Sequence, residues 1–244
     1  MKFKIIIPAR LKSSRFPSKP LKFIKNIPMI IRVCKICARA VGERNTYVAT
    51  DSKKIFNLVK SHHFQSIMTP SKIPTGTDRV AYASKKIKGK YFINVQGDEP
   101  LINHKDILKV ISYKKKFKNN VICCYAEILK KENPINTNIP KIIFNKKKEL
   151  IYISRSLIPG QKNNKKIKYF KQVCIYAFNK KELKVFASFK KKTPIESLED
   201  IELLRFFETK IKVKLLKVKS GSIAVDVPGD IIKVENILRN KKIH

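Results

Sequence analysis

The chain has 244 residues, 43% of them hydrophobic, enough for one large domain or one domain with a sizeable insertion. Its 55 Lys and Arg against 18 Asp and Glu give a formal net charge of +37, which taken alone suggests a polyanionic partner. No run of 18 apolar residues occurs, so no membrane span is expected, and MKFKIIIPAR lacks the length and cleavage site of a signal peptide, so the expected location is the cytoplasm.

Strands and helices alternate along the first half. KIIIP (4–8) is a β-branched run suited to a strand buried on both faces. MIIRVCKICARA (29–40) has the apolar stripe of a helix, and TYVAT (46–50) is a second strand. DSKKIFNLVKS (51–61) opens on an N-cap pair, and FQSIM (64–68) is a third strand. TDRVAYASKKI (77–87) reads as a helix capped by Thr77, followed by the strand YFINVQ (91–96) that GDEP stops. DILKVISYKKK (106–116) is a helix and VICCYAEI (121–128) a strand. This alternation implies βαβ units, a parallel sheet and right-handed crossovers.

After about residue 129 the pattern changes. KIIFNKKKELIYIS (141–154) reads as a hairpin, QVCIYAFN (172–179) as a strand and KELKVFASF (181–189) as a helix. IESLEDIELLRFFETK (195–210) is an amphipathic helix, KVKLLKV (212–218) a strand, and the tail from Pro228 a final helix.

Ligands bind open α/β sheets beyond the carboxyl ends of the strands. Three unusual segments lie at such ends: PARLKSSRFPSKP after the first strand, QGDEP (96–100), and VDVPGD (225–230) before the last helix. The first is basic and suits a triphosphate, although it is neither a Walker P-loop nor a G-x-G-x-x-G. The other two are acidic. Asp98 and Asp226, brought together from distant segments, form a hard-oxygen site suited to Mg²⁺. Cys34 and Cys37 form a C-x-x-C with no second ligand pair, so small buried roles are expected for both. Only nine of the basic residues are Arg, and the lysines are spread over the chain beside Ile and Asn, as mutational drift in an A/T-biased genome produces.

PARLKSSRFPSKPL, VATD (48–51), GTDR (76–79), NVQGDEPLI (94–102), SR (154–155) and VDVPGD occur in the order seen in the 3-deoxy-manno-octulosonate (Kdo) cytidylyltransferases, and the chain resembles that family over nearly its whole length. The resemblance implies an α/β, Rossmann-like nucleotidyltransferase fold with a mostly parallel central sheet, helices on both faces and a smaller insertion for dimerisation and sugar binding. It treats 1–244 as a single domain, with the sugar-binding and dimerisation subregion at approximately 130–218. It implies a homodimer that converts CTP and Kdo to CMP-Kdo and pyrophosphate for lipopolysaccharide core synthesis. Pro8, Ala9, Arg10, Arg15, Lys19, Gly76 and Thr77 match positions at CTP, and Lys19 would offset charge on the leaving group. Asp98 and Asp226 match the Mg²⁺ ligands and, with Lys19, the catalytic set; Gln96, Arg155, Tyr176 and Glu202 match positions around the sugar.

Four departures from the family pattern stand out. Ser18 and Cys174 replace glycines, Gln172 a histidine and Leu203 a glutamine. Gln172 and Leu203 concern the sugar side, which keeps a related acid sugar such as 8-amino-Kdo or sialic acid open as substrate. A nucleic-acid-binding protein is the competing class, but no aromatic-interleaved RNA motif, zinc knuckle or Arg-rich recognition helix occurs, so no specific nucleic-acid partner and no membrane insertion are expected.

Overall fold

Side-chain alternation along the strands decides the layering. The computed structural model describes residues 2–12, 16–129, 132–160, 162, 167–219 and 223–240. In β1 (Phe3–Ala9), Phe3, Ile5 and Ile7 join one buried layer and Ile6 the other. In β6 (Tyr91–Val95), Tyr91, Ile93 and Val95 share the first layer and Phe92 the second. Both strands are therefore buried on both faces, as their unbroken apolar runs require.

Two short strands, β2 (Phe23–Ile24) and β3 (Ile27–Pro28), form a separate hairpin whose turn residues, Lys25 and Asn26, both have positive φ. The remaining strands are β4 (Thr46–Thr50), β5 (Gln65–Met68), β7 (Val121–Glu127), β8 (Lys141–Phe144), β9 (Leu150–Ser154), β10 (Phe170–Asn179) and β11 (Val213–Lys217). The main path of the large sheet runs β11-β7-β10-β6-β1-β4-β5. Its pairings are parallel except at β10, which runs antiparallel to both β6 and β7. The hairpin β8–β9 pairs with β10 off this path. The mostly parallel sheet is thus as expected; among the strands described, β10 is the one reversed strand on the main path, and β9 in the attached hairpin runs the same way as β10.

Helices α1 (Met29–Val41), α2 (Lys53–Ser61) and α4 (His104–Lys116) send Ile30, Val33, Ile55, Val59, Ile107 and Val110 into the first layer. The second layer takes Val80 and Ala83 from α3 (Gly76–Lys85) and Leu183 and Phe186 from α5 (Lys180–Phe186). It also takes Leu203, Leu204 and Phe206 from a 3₁₀ segment, Glu202–Glu208. Burying so many large side chains fully, at roughly 1.5 to 3 kcal/mol each, is the main favourable term for the fold.

Two expectations need correction. The amphipathic helix over 195–210 is broken into α6 (Pro194–Glu199) and the 3₁₀ segment, because Asp200 adopts a left-handed conformation with φ 49° that no helix continues. The cap of α3 is Thr75, whose hydroxyl accepts from the Asp78 N–H at 3.1 Å, and Thr77 lies inside the helix. The last helix, α7 (Pro228–Asn240), starts where Pro228 supplies a preset φ.

Candidate active site

The chain order reverses direction across the sheet between β1 and β6, and the carboxyl ends of these neighbours open a cleft. A cavity of about 210 Å³ there is lined by Pro8, Ala9 and Arg10 from the end of β1 and by Gln96, Gly97 and Asp98 from the end of β6. Lys12, Lys19, Gly76, Arg79 and Glu202 complete much of the wall. The sequence thus brings five of the seven residues expected at CTP to one cleft: Pro8, Ala9, Arg10, Lys19 and Gly76. Arg15 lies outside the described residues. Thr77 is fully buried behind the wall, where its hydroxyl donates to Glu202 and accepts from Asn94 at 3.2 Å.

Lys19 holds the centre. Its Nζ lies 2.7 Å from Asp98 Oδ2 and 3.5 Å from Asp226 Oδ1. The lysine follows a left-handed Ser18 (φ 56°, ψ 24°), which lets the chain turn into the short 3₁₀ helix Lys19–Leu21. The Ser18 N–H closes the basic loop on the carbonyl of Leu11 at 3.1 Å. A left-handed serine costs roughly 1 to 2 kcal/mol that glycine does not incur. Ser18→Gly is therefore expected to stabilise the protein by about 1 kcal/mol in chemical denaturation, with the loop retained.

Asp226 reaches Asp98 through a backbone tie: the Val225 N–H donates to the Asp98 carbonyl at 2.9 Å. Asp230 fixes the approach, its Oδ2 accepting from the N–H groups of Asp226 at 3.0 Å and Val227 at 3.1 Å. Burial opposes the charged Asp230, but Lys233 and those two N–H groups outweigh it and hold the carboxyl below its usual range. Two hard carboxylate oxygens from distant segments thus flank one cation, the Lys19 ammonium. Mg²⁺, which takes one or two carboxylates plus phosphate oxygens, fits this donor pair.

Glu202 closes the cleft from the 3₁₀ segment. Its carboxylate accepts from the Gly76 N–H at 2.7 Å and the Thr77 N–H at 2.9 Å, so it satisfies the first turn of α3. A Cβ at Gly76 would come within 3.1 Å of Glu202 Oε1, which explains glycine there. Burial pushes the Glu202 carboxyl up, against the hydrogen bonds from Thr77 and Gly76 that favour the ionised form. A folded-state value above the unfolded one means that the native protein binds this proton more tightly. The contribution is full below the ordinary glutamate value of about 4.3 and falls as pH rises through the raised value. Glu202→Gln should therefore show a shallower loss of unfolding free energy than the parent protein as pH rises from the ordinary glutamate value through the raised one.

Of the residues expected at the sugar, Gln96 and Glu202 line the cleft, whereas Tyr176 and Arg155 are not in its wall. Tyr176 is buried in the second layer beside Phe178, and its hydroxyl accepts from the Gln172 amide at 2.8 Å. Arg155 donates to the carbonyls of Glu199 at 2.6 Å, Thr137 at 3.0 Å and Asp200 at 3.2 Å. Leu203 is fully buried in the second layer. Cys174 sits where the β10–β7 register shifts between Val173 and Tyr176. Cys34 and Cys37 are buried in the first layer, as expected, and burial pushes both thiols up. Among the described residues no group of three or more His, Cys, Asp or Glu could hold a metal.

Sequence reasoning missed Arg79. It is fully buried, lines the cleft, and donates to Thr69 and to Asp51 at 3.1 Å, which ties GTDR to VATD. The signal was present: one of only nine arginines sits inside a quoted motif.

The cytidylyltransferase family model matches residues 4–215. A 3-deoxy-manno-octulosonate cytidylyltransferase of Rickettsia typhi is 38% identical over 96% of both chains. One from Fusobacterium nucleatum is 36% identical over 100% of this chain and 99% of its own. A solved CMP:2-keto-3-deoxy-manno-octonic acid synthetase complexed with CTP superposes with a TM-score of 0.91 at 30% identity, covering 99% of this chain and 100% of that one. A putative glucose-1-phosphate thymidylyltransferase from Bacillus anthracis, at 12% identity and a TM-score of 0.73, shares the fold. This chain belongs to the 3-deoxy-manno-octulosonate cytidylyltransferase family.

Proposed function

We propose that this protein transfers CMP from CTP to Kdo, releasing pyrophosphate, and so activates the sugar for lipopolysaccharide core synthesis. The observation that carries this reading is the convergence of Lys19, Asp98 and Asp226 at the mouth of the β1–β6 cleft, beside Arg10. A sugar hydroxyl attacks the α-phosphorus, the bond to the β-phosphate oxygen breaks, and the hydroxyl proton is lost to the medium. This chemistry depends on positioning and on neutralising charge.

Arg10 and Lys19 supply the positive charge for the triphosphate. Lys19, paired with Asp98 in the free protein, can turn its ammonium toward the departing pyrophosphate and offset its growing negative charge. Pro8, Ala9, Gly76 and the Thr77 backbone form the side on which the cytidine packs. Asp98 and Asp226 would hold Mg²⁺, which when bound polarises phosphate oxygens as a Lewis acid. Gln96 and Glu202 face the space left for the sugar. Arg155, which matches the family position for the sugar carboxylate, stands outside the cleft wall, so it would have to release its three carbonyl partners and swing in to pair with that carboxylate.

A homodimer working in the cytoplasm completes the proposal. Six of the eleven exposed large apolar residues among those described (Leu129, Ile135, Ile151, Leu157, Leu198 and Phe207) lie in the 129–207 region, which supports an interface there. The described cysteines are all free, in keeping with a reducing compartment. No described helix is long and apolar enough to cross a membrane.

The Gln172–Tyr176 hydrogen bond bears on which sugar is used, because the family pattern that the sequence resembles has histidine at the position of Gln172. Incubation with CTP and either Kdo, 8-amino-Kdo or N-acetylneuraminate, with the products weighed by mass spectrometry, tests the assignment. CMP-Kdo as the main product supports it. Product from another acid sugar alone moves the substrate and keeps the mechanism.

A further inference from the structure

A second cavity, of about 730 Å³, lies beside the segment that leads from Asp98 into α4. Its lining includes Lys25, Arg32, Lys35, Arg39, His104 and Lys105, with Ile27, Leu101 and Leu238 among its apolar residues. No carboxylate is among the lining residues described. Glu235 is the acidic group whose charge reaches Arg32, and its Oε1 accepts from the Lys25 N–H at 2.8 Å. One carboxylate therefore stands against five cationic side chains.

Three observations separate this cavity from a drifted lysine surface. First, Arg32, Lys35 and Arg39 stand at i, i+3 and i+7 of α1, which places three cations on one helix face. Drift toward lysine does not produce arginines, yet two of the chain's nine are here. Second, the Nε of Arg32 is buried and has no hydrogen-bond partner among the described residues, while its Nη2 donates to the Ile24 carbonyl at 2.8 Å. A buried guanidinium N–H without an acceptor is costly, and a small turn of the Arg32 side chain toward the cavity would let a bound oxyanion satisfy it. Third, the cavity is polar and apolar at once, and its volume falls in the range of small-molecule sites. Asn103 to Lys105, at the start of α4, lie in its wall, but the Asn103 side chain already accepts from the Lys105 N–H and Asp106 stands in the first turn, so anion binding falls to the cationic side chains.

We propose that this cavity is a second anion site for a small phosphorylated molecule, its phosphate on Arg32, Lys35 and Arg39 of α1, its organic part against Ile27, Leu101 and Leu238. The site is separate from the CTP cleft in its lining residues. It shares the 98–103 segment with the reaction centre, so an occupant contacts the chain two residues from Asp98, at Pro100.

Calorimetric titration with inorganic pyrophosphate at about 0.15 M salt, where exposed charges are screened beyond about 8 Å, tests the proposal. The protein is expected to bind two pyrophosphates per chain, one in the cleft and one here. The double variant Arg32→Ala/Arg39→Ala is expected to bind one, with turnover of CTP and Kdo within about twofold of the parent. If that variant proves unstable, Arg39→Glu alone, on an exposed position, should weaken the second binding event at least about tenfold at unchanged melting temperature. A single site in the parent protein would overturn the proposal. So would two sites surviving in the variants, or an equal loss in the control Lys190→Ala/Lys191→Ala, which would mark diffuse attraction to lysine.

Discussion

Asp98→Asn is expected to lower kcat for pyrophosphate release by about 10² to 10³-fold while leaving the fold intact. Asparagine keeps the size of the side chain and can still accept a hydrogen bond from Lys19, so the geometry at 2.7 Å can survive. What is lost is one of the two negative charges that face the Lys19 ammonium. The Lys19–Asp98 pair is partly solvated, so unfolding free energy should change by no more than about 1 kcal/mol. Steady-state kinetics beside a urea melt checks both halves. A variant that keeps near-full kcat would remove Asp98 from the reaction centre.

Arg205→Ala is expected to give the largest loss of stability, about 3 to 5 kcal/mol. The guanidinium is fully buried and spans two carboxylates. It donates to Glu196 at 2.7 Å from both Nε and Nη2, and to Asp78 at 2.7 and 3.1 Å. Its face also lies 3.9 Å from the Phe186 ring centroid. Alanine would leave two buried carboxylates without their cation, and Asp78 belongs to the first turn of α3, beside the N–H groups that Glu202 accepts from. Activity should therefore fall together with stability. The contrasting change, Lys192→Ala, removes an ion pair to a largely exposed Asp200 and should cost less than about 1 kcal/mol. Thermal melts of the two variants should differ by roughly 10 °C for a chain of this size.

The strand order was partly legible because buried parallel strands announce themselves. IIIP and YFINV are unbroken apolar runs, and both lie in the middle of the sheet. The direction of β10 was not legible: QVCIYAFN reads the same whether its neighbours run parallel or antiparallel. The hairpin at Phe23–Pro28 escaped because two-residue strands carry no periodicity, although its Asn26 favours a positive-φ turn. The 195–210 stretch has helical spacing throughout, yet the left-handed Asp200 breaks it, and that break sets Glu202 at the start of α3. Periodicity measures which face is apolar and cannot register a single residue's φ.

The candidate site divides the same way. The basic loop and the two acidic segments could be read from their positions at strand ends. The pairing of Asp98 with Asp226 could be guessed from their chemistry at two strand-end segments, but what joins them, the Val225 N–H on the Asp98 carbonyl and the Lys19 ammonium between the carboxylates, is fixed only by tertiary packing. Arg79 and Arg205 were passed over because their partners, Asp51, Asp78 and Glu196, are fixed only by tertiary packing.

CTP labelled at the α-phosphorus follows the CMP group through the Lys19–Asp98–Asp226 centre. With Kdo and Mg²⁺ present, the label should move into CMP-Kdo while unlabelled pyrophosphate appears in equal amount, and omission of Kdo should stop both. Label that stays in CTP at every Kdo concentration, or that leaves as free CMP without a sugar adduct, would rule out CMP transfer to Kdo by this protein.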